Sequence, residues 1–404
     1  MKQKEYKEYK DSDQYNSLTN DQKIALEMMI DNDLFILTGL PGSGKTYLIN
    51  FFREFYQERR IVTTAPTWKA LSVVNGDYTI QSYLNLKLSW KEDKQILIHN
   101  DKLNPVMYKI KEDDCVILDE VSMCQESIIE YLKEYQDEYN LKVICVGDPN
   151  QLYPVNEEIS AIWKQDWPTY ELKEIVRQKE GNPIIKLTHD IIKGYRINYN
   201  NYVDNKHVFI GGNDEMKKFF VDNYSDDDIC TFLSHKNKIV DKVNIGARNL
   251  IKDNPKDNLL VGEKVYVRSS NEQQTHKLED IVTITNIGKP YNYNMYNFMV
   301  RNIKVMSNKG SDTFIIPVDE NEKKIYKQTL KMLIDQAKAK IGSWQKYYNL
   351  FESIGDLKHI YSQTVYRSQG STFRNVIVNT RDVFDLRLKY TAMTRPSDKL
   401  FLLV

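Results

Sequence analysis

Eight residues, Gly39-Leu-Pro-Gly-Ser-Gly44-Lys45-Thr46, have the GxxxxGKT spacing of a phosphate-binding loop. Glycines let consecutive backbone amides turn inward around phosphate oxygens, and the helix that should follow adds its positive end. Lys45 reaches the β and γ phosphates, and Thr46 offers an oxygen to Mg²⁺, so ATP and Mg²⁺ are the expected ligands. Gly39, Pro41, Gly42, Ser43 and Gly44 complete the loop. Some 75 residues downstream, Val116-Ile-Leu-Asp119-Glu120 is an apolar run ending in two acids. Asp119 is placed to hold the metal and Glu120 to polarise an attacking water as general base. Acid pairs at strand ends also cap helices, and the upstream phosphate loop favours the catalytic reading. In Val146-Gly-Asp-Pro-Asn-Gln151 another apolar run ends in a polar loop, where Gln151 either senses the γ-phosphate or belongs to an ordinary Asp-Pro-Asn turn.

Polar and aromatic residues at further strand ends suggest a second ligand. Thr64, Pro66 and Thr67 could grip sugar-phosphate oxygens and Trp68 could stack on a base, although a lone Trp more often packs. Ser82, after Thr79-Ile-Gln, lies at the same edge. Thr19-x-x-Gln22 reads both as a capping box and as an adenine-reading amide at Gln22. Arg177 and Arg395 lie in a second half that has no phosphate loop, where arginines either pair on the surface or reach across a cleft to neutralise charge in phosphoryl transfer.

Positioning these residues requires a particular framework. Ile24, Ala25, Met28 and Met29 recur at helical spacing, Leu34 to Leu37 reads as a strand, and Leu48, Ile49, Phe52 and Phe55 form one face of the helix after the loop. Further strands are expected at Ile61 to Thr64, Cys115 to Leu118 and Lys142 to Val146, and such alternation means a parallel α/β sheet. Leu86 to Asn100 reads as an inserted β-hairpin within an insertion of residues 86–110. Strands at Asp228 to Leu233, Gln363 to Tyr366, Asn375 to Asn379 and Lys399 to Val404 build a second α/β domain. Residues 255–360 interrupt it with four β-type stretches and a helix over Glu322 to Ala339, an inserted β-barrel with a helical appendage. The expected organisation is a flexible 1–17, a first domain over 18–170 and a second over 171–404.

The chain has 404 residues, enough for two to three buried cores. Apolar residues make up 41% and charged residues 28%, with no run of 18 apolar residues to span a bilayer, which argues against membrane function. The first 16 residues lack the apolar core of a signal peptide, so a cytoplasmic protein is expected. Four cysteines without a CxxC pair speak against a disulfide framework or zinc site. Lys plus Arg and Asp plus Glu are 56 each, so a nucleic-acid site has to be a local groove.

In order, the phosphate loop, Ala-Pro-Thr67, Asp119-Glu-Val-Ser, Gly-Asp-x-x-Gln151-Leu-x-Pro, Arg177, Thr364-Val-Tyr-Arg-Ser-Gln369-Gly370 and Tyr-Thr-Ala-Met-Thr-Arg395 resemble superfamily 1 helicases. Within them the chain is most similar to the 5′-to-3′ RecD-like branch, especially small phage helicases of the Dda type. The resemblance implies two RecA-like domains with ATP between them and single-stranded DNA across both. It implies ATPase roles for Lys45, Thr46, Asp119, Glu120, Gln151, Arg177 and Arg395, adenine contact by Gln22, coupling of nucleotide to DNA at Gln369 and Gly370, and DNA contact at Thr364. The hairpin matches the strand-separating pin and the barrel an SH3-like insertion. Implied partners are single-stranded and forked duplex DNA and a replication or single-strand-binding protein, acting on a monomer in a bacterial or phage-infected cell during replication, recombination or repair. Trp68 and a pin tip of Trp90, Ile96, Leu97 and Ile98 without a single aromatic wedge depart from the phage pattern. The alternatives are an ATP-dependent switch that binds DNA or protein without unwinding, and a small-molecule phosphotransferase.

Overall fold

The computed structural model describes residues 10, 12–91, 94–100, 109–154, 157–174, 182–226, 228–253, 257–269, 274–293 and 295–404. Helix α1 (Asn20–Asp31) starts from a capping box in which Thr19 Oγ1 accepts from the Gln22 amide and Gln22 Oε1 accepts from the Thr19 amide. Strand β1 (Leu34–Gly39) runs into the phosphate loop and α2 (Lys45–Phe55). After these come β2 (Ile61–Ala65), α3 (Trp68–Val73), β3 (Tyr78–Thr79) and the hairpin strands β4 (Leu86–Lys91) and β5 (Lys94–His99). Strand β6 (Cys115–Leu118), helix α4 (Glu126–Tyr139), β7 (Lys142–Gly147) and β8 (Thr169–Leu172) complete the first half.

Six of these strands form a parallel sheet in the order β3-β2-β6-β7-β1-β8. Side-chain alternation sorts its two faces. Phe35, Leu37, Cys115, Ile117, Ile144 and Val146 pack with α1 and α2, whereas Ile36, Val116, Leu118, Val143 and Cys145 pack with α4. Each fully buried Leu, Ile, Val or Phe contributes about 1.5–3 kcal/mol relative to exposure, so burial on both faces fixes the strand register that sets the loop ends.

In the second half, α5 (Pro183–Ile192), β9 (Val208–Gly211), α6 (Asn213–Asp222), β10 (Cys230–Ser234) and α7 (Asn237–Ile251) precede an antiparallel insert. That insert consists of β11 (Lys264–Ser269), β12 (Ile281–Ile287), β13 (Tyr291–Tyr293), β14 (Phe298–Ser307), β15 (Gly310–Pro317), α8 (Glu320–Lys338), α9 (Trp344–Ser353) and β16 (Asp356–His359). The chain then returns through β17 (Ser362–Thr364), β18 (Phe373–Asn379), α10 (Leu386–Met393) and β19 (Pro396–Leu403). The second sheet is also parallel, in the order β17-β10-β18-β19-β9, with α5 and α10 on one face and α6 and α7 on the other.

The insert curls around Val265, Val267, Val282, Ile284, Ile303, Val305 and Phe314, and the Gly355 amide donates to the Ile315 carbonyl at 2.8 Å where β15 and β16 meet. Its base is fixed to α7 by a buried Arg248–Glu263 pair, 2.7 and 3.1 Å, whose carboxylate also accepts from the Leu260 amide. The helical part is a pair, α8 and α9, where the sequence suggests one helix. The Trp- and Tyr-rich stretch after Ser343 carries a weak helical signal, and packing of Leu350 against Phe298, Val300 and Leu333 holds it. The strand expected over Gln363 to Tyr366 stops at Thr364, because Thr364 Oγ1 caps the helical turn Val365–Ser368 by accepting from the Arg367 amide. The β4–β5 pairing runs from Leu86↔His99 to Lys91↔Lys94, as the hairpin expectation requires, and Leu97 packs on the first core. Residues 101–108 of the expected pin and Arg177 lie outside the described residues. Among the described residues, no helix is long and apolar enough to cross a membrane.

Candidate active site between the two sheets

The carboxyl ends of β1, β6 and β7 deliver the phosphate loop, Asp119-Glu120 and Asp148 to one edge of the first sheet. Ligands in open parallel sheets bind beyond that edge. Facing it is the amino edge of the second sheet, with Gly370 to Thr372 leading into β18 and Arg395 leading into β19. A cavity of about 530 Å³ lies between them. Pro41, Gly42, Gly44, Lys45, Thr46, Asp119, Glu120 and Gln151 form one wall, and Gly370, Ser371, Thr394 and Arg395 form the other.

Gly42 and Gly44 have φ of +85° and +86°, values that an L side chain rarely adopts, so the loop can curl only with glycine there. At Gly39 a Cβ would lie 2.6 Å from Ser43 Oγ and 2.9 Å from the Leu172 carbonyl. Lys45 Nζ donates to the carbonyls of Gly39 at 2.6 Å and Leu40 at 3.2 Å, which points the ammonium across the loop mouth. Burial lowers its pKa, opposed by the nearby carboxylates of Asp148, Glu120 and Asp119.

Asp119 and Glu120 are both shifted towards the protonated form. For Asp119 burial is the main cause, opposed by the Glu120 amide, which donates to its Oδ1 at 2.9 Å, and by Lys45. For Glu120 burial again leads, Asp119 adds to it, and Arg395 and Lys45 oppose, which leaves the group pushed up to about 7. A carboxylate poised near neutrality suits a general base. Glu120 also sits in the left-handed backbone region at φ +52°, a conformation that costs a non-glycine residue about 1 kcal/mol or more and that clusters at functional sites.

Whether the site fits a nucleotide and its metal can be tested on its orphaned atoms. Among the described residues, Ser43 Oγ and Gln151 Oε1 are buried without a hydrogen-bond partner, and both belong to cavity loops. Unpaired buried polar atoms are costly; the Ser43 hydroxyl could donate to a phosphate oxygen, and Gln151 Oε1 could accept from a water beside the phosphates. Among the described residues, no group of three or more His, Cys, Asp or Glu is placed to hold a metal ion by itself. Thr46 and Asp119 alone suit Mg²⁺, which keeps waters and takes phosphate oxygens as its remaining ligands.

Arg395 is 5% exposed and is aimed by its own half: Nε donates to the Thr391 carbonyl at 2.9 Å and Nη1 to the Ser371 carbonyl at 3.1 Å. The loop carrying Gln151 is tied across the cleft by residues that sequence reasoning missed. Tyr390 donates to Asp148 Oδ2 at 2.6 Å, Arg387 donates to the Pro149 carbonyl, and its guanidinium lies 3.7 Å from the Tyr153 ring centroid. Tyr390 lies on α10 and precedes Arg395, just beyond that helix, by five residues, a spacing that marks it as a neighbour but gives no hint of a partner 242 residues away.

The other candidates divide. Gln369 Nε2 donates to the Leu152 carbonyl at 3.2 Å, so it braces the Gln151 loop. Gly370 lines the cavity at φ +73°, and a Cβ there would approach Ala70 at 3.3 Å. Gln22 is buried in its capping box and is absent from the cavity wall, whereas Tyr47 lies on that wall and bonds Ser17 Oγ at 2.8 Å. Trp68 is 40% exposed and Pro66 is half-buried. Thr67 Oγ1 caps α3 through the Ala70 amide, and Ser82 Oγ is held by Lys109. The expectation that the Thr64 side chain meets DNA is corrected: Thr64 is fully buried and its hydroxyl donates to the Ile117 carbonyl at 3.0 Å. Thr364 is likewise buried, with its hydroxyl used as a cap.

Two family models match the chain, an AAA domain over residues 17–213 and a UvrD-like helicase C-terminal domain over 359–403. An uncharacterized Acanthamoeba polyphaga mimivirus protein is 25% identical over 91% of this chain and 94% of its own length. The ATP-dependent DNA helicase Pif1 of Campylobacter jejuni is 23% identical over 92% and 89%. In two longer relatives the matched region makes up 38% and 32% of their length. The solved structure of Pif1 from Bacteroides in complex with ADP-AlF3 and single-stranded DNA superposes with a TM-score of 0.58 over 95% of this chain and 92% of that one, at 16% identity. The shared fold is the tandem RecA-like arrangement.

Proposed function

We propose that this protein is an ATP-driven motor that moves 5′-to-3′ along single-stranded DNA and separates forked duplexes. The observation that carries this reading is the cavity whose wall joins Lys45, Glu120 and Gln151 of one sheet to Arg395 of the other. Such a site is complete only when the two halves approach each other, so ATP turnover and interdomain motion are linked by construction. The Pif1 relatives, described as ATP-dependent DNA helicases, support the same reading. Because one chain supplies both walls, a monomer suffices. Thr46 and Asp119 would hold Mg²⁺, which supplies charge neutralisation at the phosphates.

Chemically, Lys45 and the inward-facing loop amides bind the β and γ phosphates of ATP. Glu120 takes a proton from the water that attacks the γ-phosphorus, and Arg395 stabilises the charge that spreads over the transferred group. Gln151 positions that water, and the Tyr390–Asp148 and Gln369–Leu152 contacts carry its state to the second half. Net movement requires each half to grip DNA differently in the closed and open forms. Exposed Trp68 and half-buried Pro66 are the candidates for that grip in the first half, and the β4–β5 hairpin is the candidate pin. A cytoplasmic role in replication, recombination or repair, in a bacterium or a phage-infected cell and beside a single-strand-binding protein, fits a compact motor of this kind.

Forked duplexes with a single tail test the proposal. Strand separation from a 5′ tail that requires ATP supports it, and separation only from a 3′ tail contradicts the polarity. DNA-stimulated ATPase with no separation from either tail would make the protein a switch that binds without unwinding.

A further inference from the structure

Two cations of opposite character meet the insert. Arg248 of α7 is bonded to the Glu263 carboxylate through both Nε and Nη2, so charge is met by charge and the base of the insert stays with the second half. Lys69, on α3 of the first half, is received differently. Its Nζ donates to Gln363 Oε1 of β17 at 3.1 Å and to the Arg367 carbonyl at 3.0 Å. It also lies 5.4 Å from the ring centroid of Tyr266 on β11 of the insert and 5.6 Å from that of Phe373 on β18. One ammonium therefore links all three parts of the molecule.

That seat holds the cation without a bonded counter-ion. Among the described residues both hydrogen bonds of Lys69 go to neutral oxygens. Burial pushes its pKa down to about 8, opposed by the Glu279 carboxylate of the insert. Glu279 is itself engaged with Arg268, whose guanidinium lies 4.9 Å from the Tyr266 ring centroid, and it sits in the left-handed backbone region at φ +70°. A buried cation bonded to no carboxylate is held at a cost that water removes as soon as the two faces part. Such a contact suits a joint that opens, whereas Arg248–Glu263 suits one that stays shut. Helix α3 also leans on the ATP site: a Cβ on Gly370, which lines the cavity, would approach Ala70, the neighbour of Lys69, at 3.3 Å. The same short helix meets the nucleotide cleft at Ala70 and the insert at Lys69.

We propose that Lys69 is a latch that ties the β-barrel insert to the first half while the ATP cleft is closed, so that nucleotide state sets the position of the insert. Closing the cleft brings Ala70 against Gly370 and delivers Lys69 to Gln363, Arg367 and Tyr266. Opening it withdraws the cation into water and leaves the insert on its Arg248–Glu263 anchor. Lys69 acts through the insert and touches no reacting atom, so it is a positioning residue. The inference rests on the part of the proposed reading in which ATP draws the two halves together.

Fluorophores on Gln57→Cys, exposed in the first half, and Asn308→Cys, exposed on the insert, report the distance between the two parts by resonance energy transfer, and the four native cysteines are buried. A nonhydrolysable ATP analogue, added without DNA, should shift the transfer efficiency when Lys69 is present. Lys69→Met should lose that shift with KM for ATP unchanged. Its thermal midpoint should hold or rise, because exchanging a buried charge for an apolar chain is often neutral or stabilising, whereas loss of a static brace would lower it. Lys69→Arg should retain the shift, since a guanidinium also donates to carbonyls and stacks on rings. Gln363→Glu places a carboxylate beside the ammonium, and among the described residues Gln363 Nε2 has no hydrogen bond to lose. A charge-assisted bond is about twice as strong as a neutral one, so this variant should show the latched efficiency without nucleotide. No shift with Lys69 in place, or a full shift in Lys69→Met, would overturn the latch and leave the motor reading intact. The expected set of shifts in a protein that neither moves on DNA nor unwinds it would support the latch and remove the motor reading.

Discussion

Strand β6 carries an acid at each end, and the fold treats the two oppositely. Asp114, just before Cys115, is buried and fully partnered: Arg60 binds it with both Nε and Nη2, Tyr83 donates to it at 2.8 Å and the Lys111 amide at 3.0 Å. Asp119 and Glu120, just after Leu118, have no cation bonded to them among the hydrogen bonds and ion pairs of the described residues, and burial shifts both towards the neutral form. Four apolar residues separate an acid neutralised within the fold from the pair proposed to do chemistry. A buried carboxylate is tolerated at the amino edge because it is neutralised, and at the carboxyl edge because a ligand would complete it.

The comparison can be broken from the carboxyl end first. Arg395→Ala should reduce kcat for ATP about 10³-fold or more, the scale of an arginine finger, with the fold intact by circular dichroism. An unchanged kcat would mean that the second wall of the cavity is passive. Next, Glu120→Gln should lower kcat by about 10²- to 10⁴-fold. The same substitution should raise stability at neutral pH. With its pKa raised in the fold, Glu120 binds its proton more tightly in the native than in the unfolded chain, so its contribution to stability falls as pH rises from the ordinary carboxylate range to about 7. Denaturation midpoints of wild type and variant should therefore converge near pH 4 and separate towards pH 7. Over that window the wild-type rate should rise with pH.

At the amino end the expectation reverses. Arg60→Ala strands the Asp114 carboxylate and should cost about 3 kcal/mol in urea denaturation, the low end for a broken buried pair because Arg60 itself reaches solvent. Its kcat at a temperature where it is folded should match wild type. The smallest effect is expected for Tyr390→Phe, which removes a hydrogen bond to a carboxylate and should cost about 2 kcal/mol. If that bond carries Gln151's state across the cleft, the variant should also lose part of any stimulation by DNA while its KM for ATP holds.

Much of the site was legible because its chemistry tolerates few residue types at fixed spacing. Gly39 to Thr46, Asp119, Glu120 and Gln151 could be placed on the same sheet edge from the alternation of apolar runs alone, and all line the cavity or its loops. Residues whose role depends on facing were not legible. Thr64 lies at a strand end like Asp119, yet its hydroxyl turns inward, and sequence position does not report which way an end residue points. The Thr67 hydroxyl reads as a DNA contact because capping and ligand binding call for the same residue types, and Thr364, whose DNA contact only the family resemblance implied, also serves as a cap. Contacts across the cleft, Tyr390 with Asp148 and Gln369 with Leu152, pair residues more than 200 positions apart.

The most direct test of the central claim, that two halves share one ATP site driven by a single strand, is steady-state ATP hydrolysis with and without single-stranded DNA. Lys45→Ala and Arg395→Ala serve as blanks for the two walls. The account predicts strong stimulation of the wild type by DNA and its loss in both variants. Hydrolysis that DNA leaves unchanged, or that survives in Arg395→Ala, would contradict it.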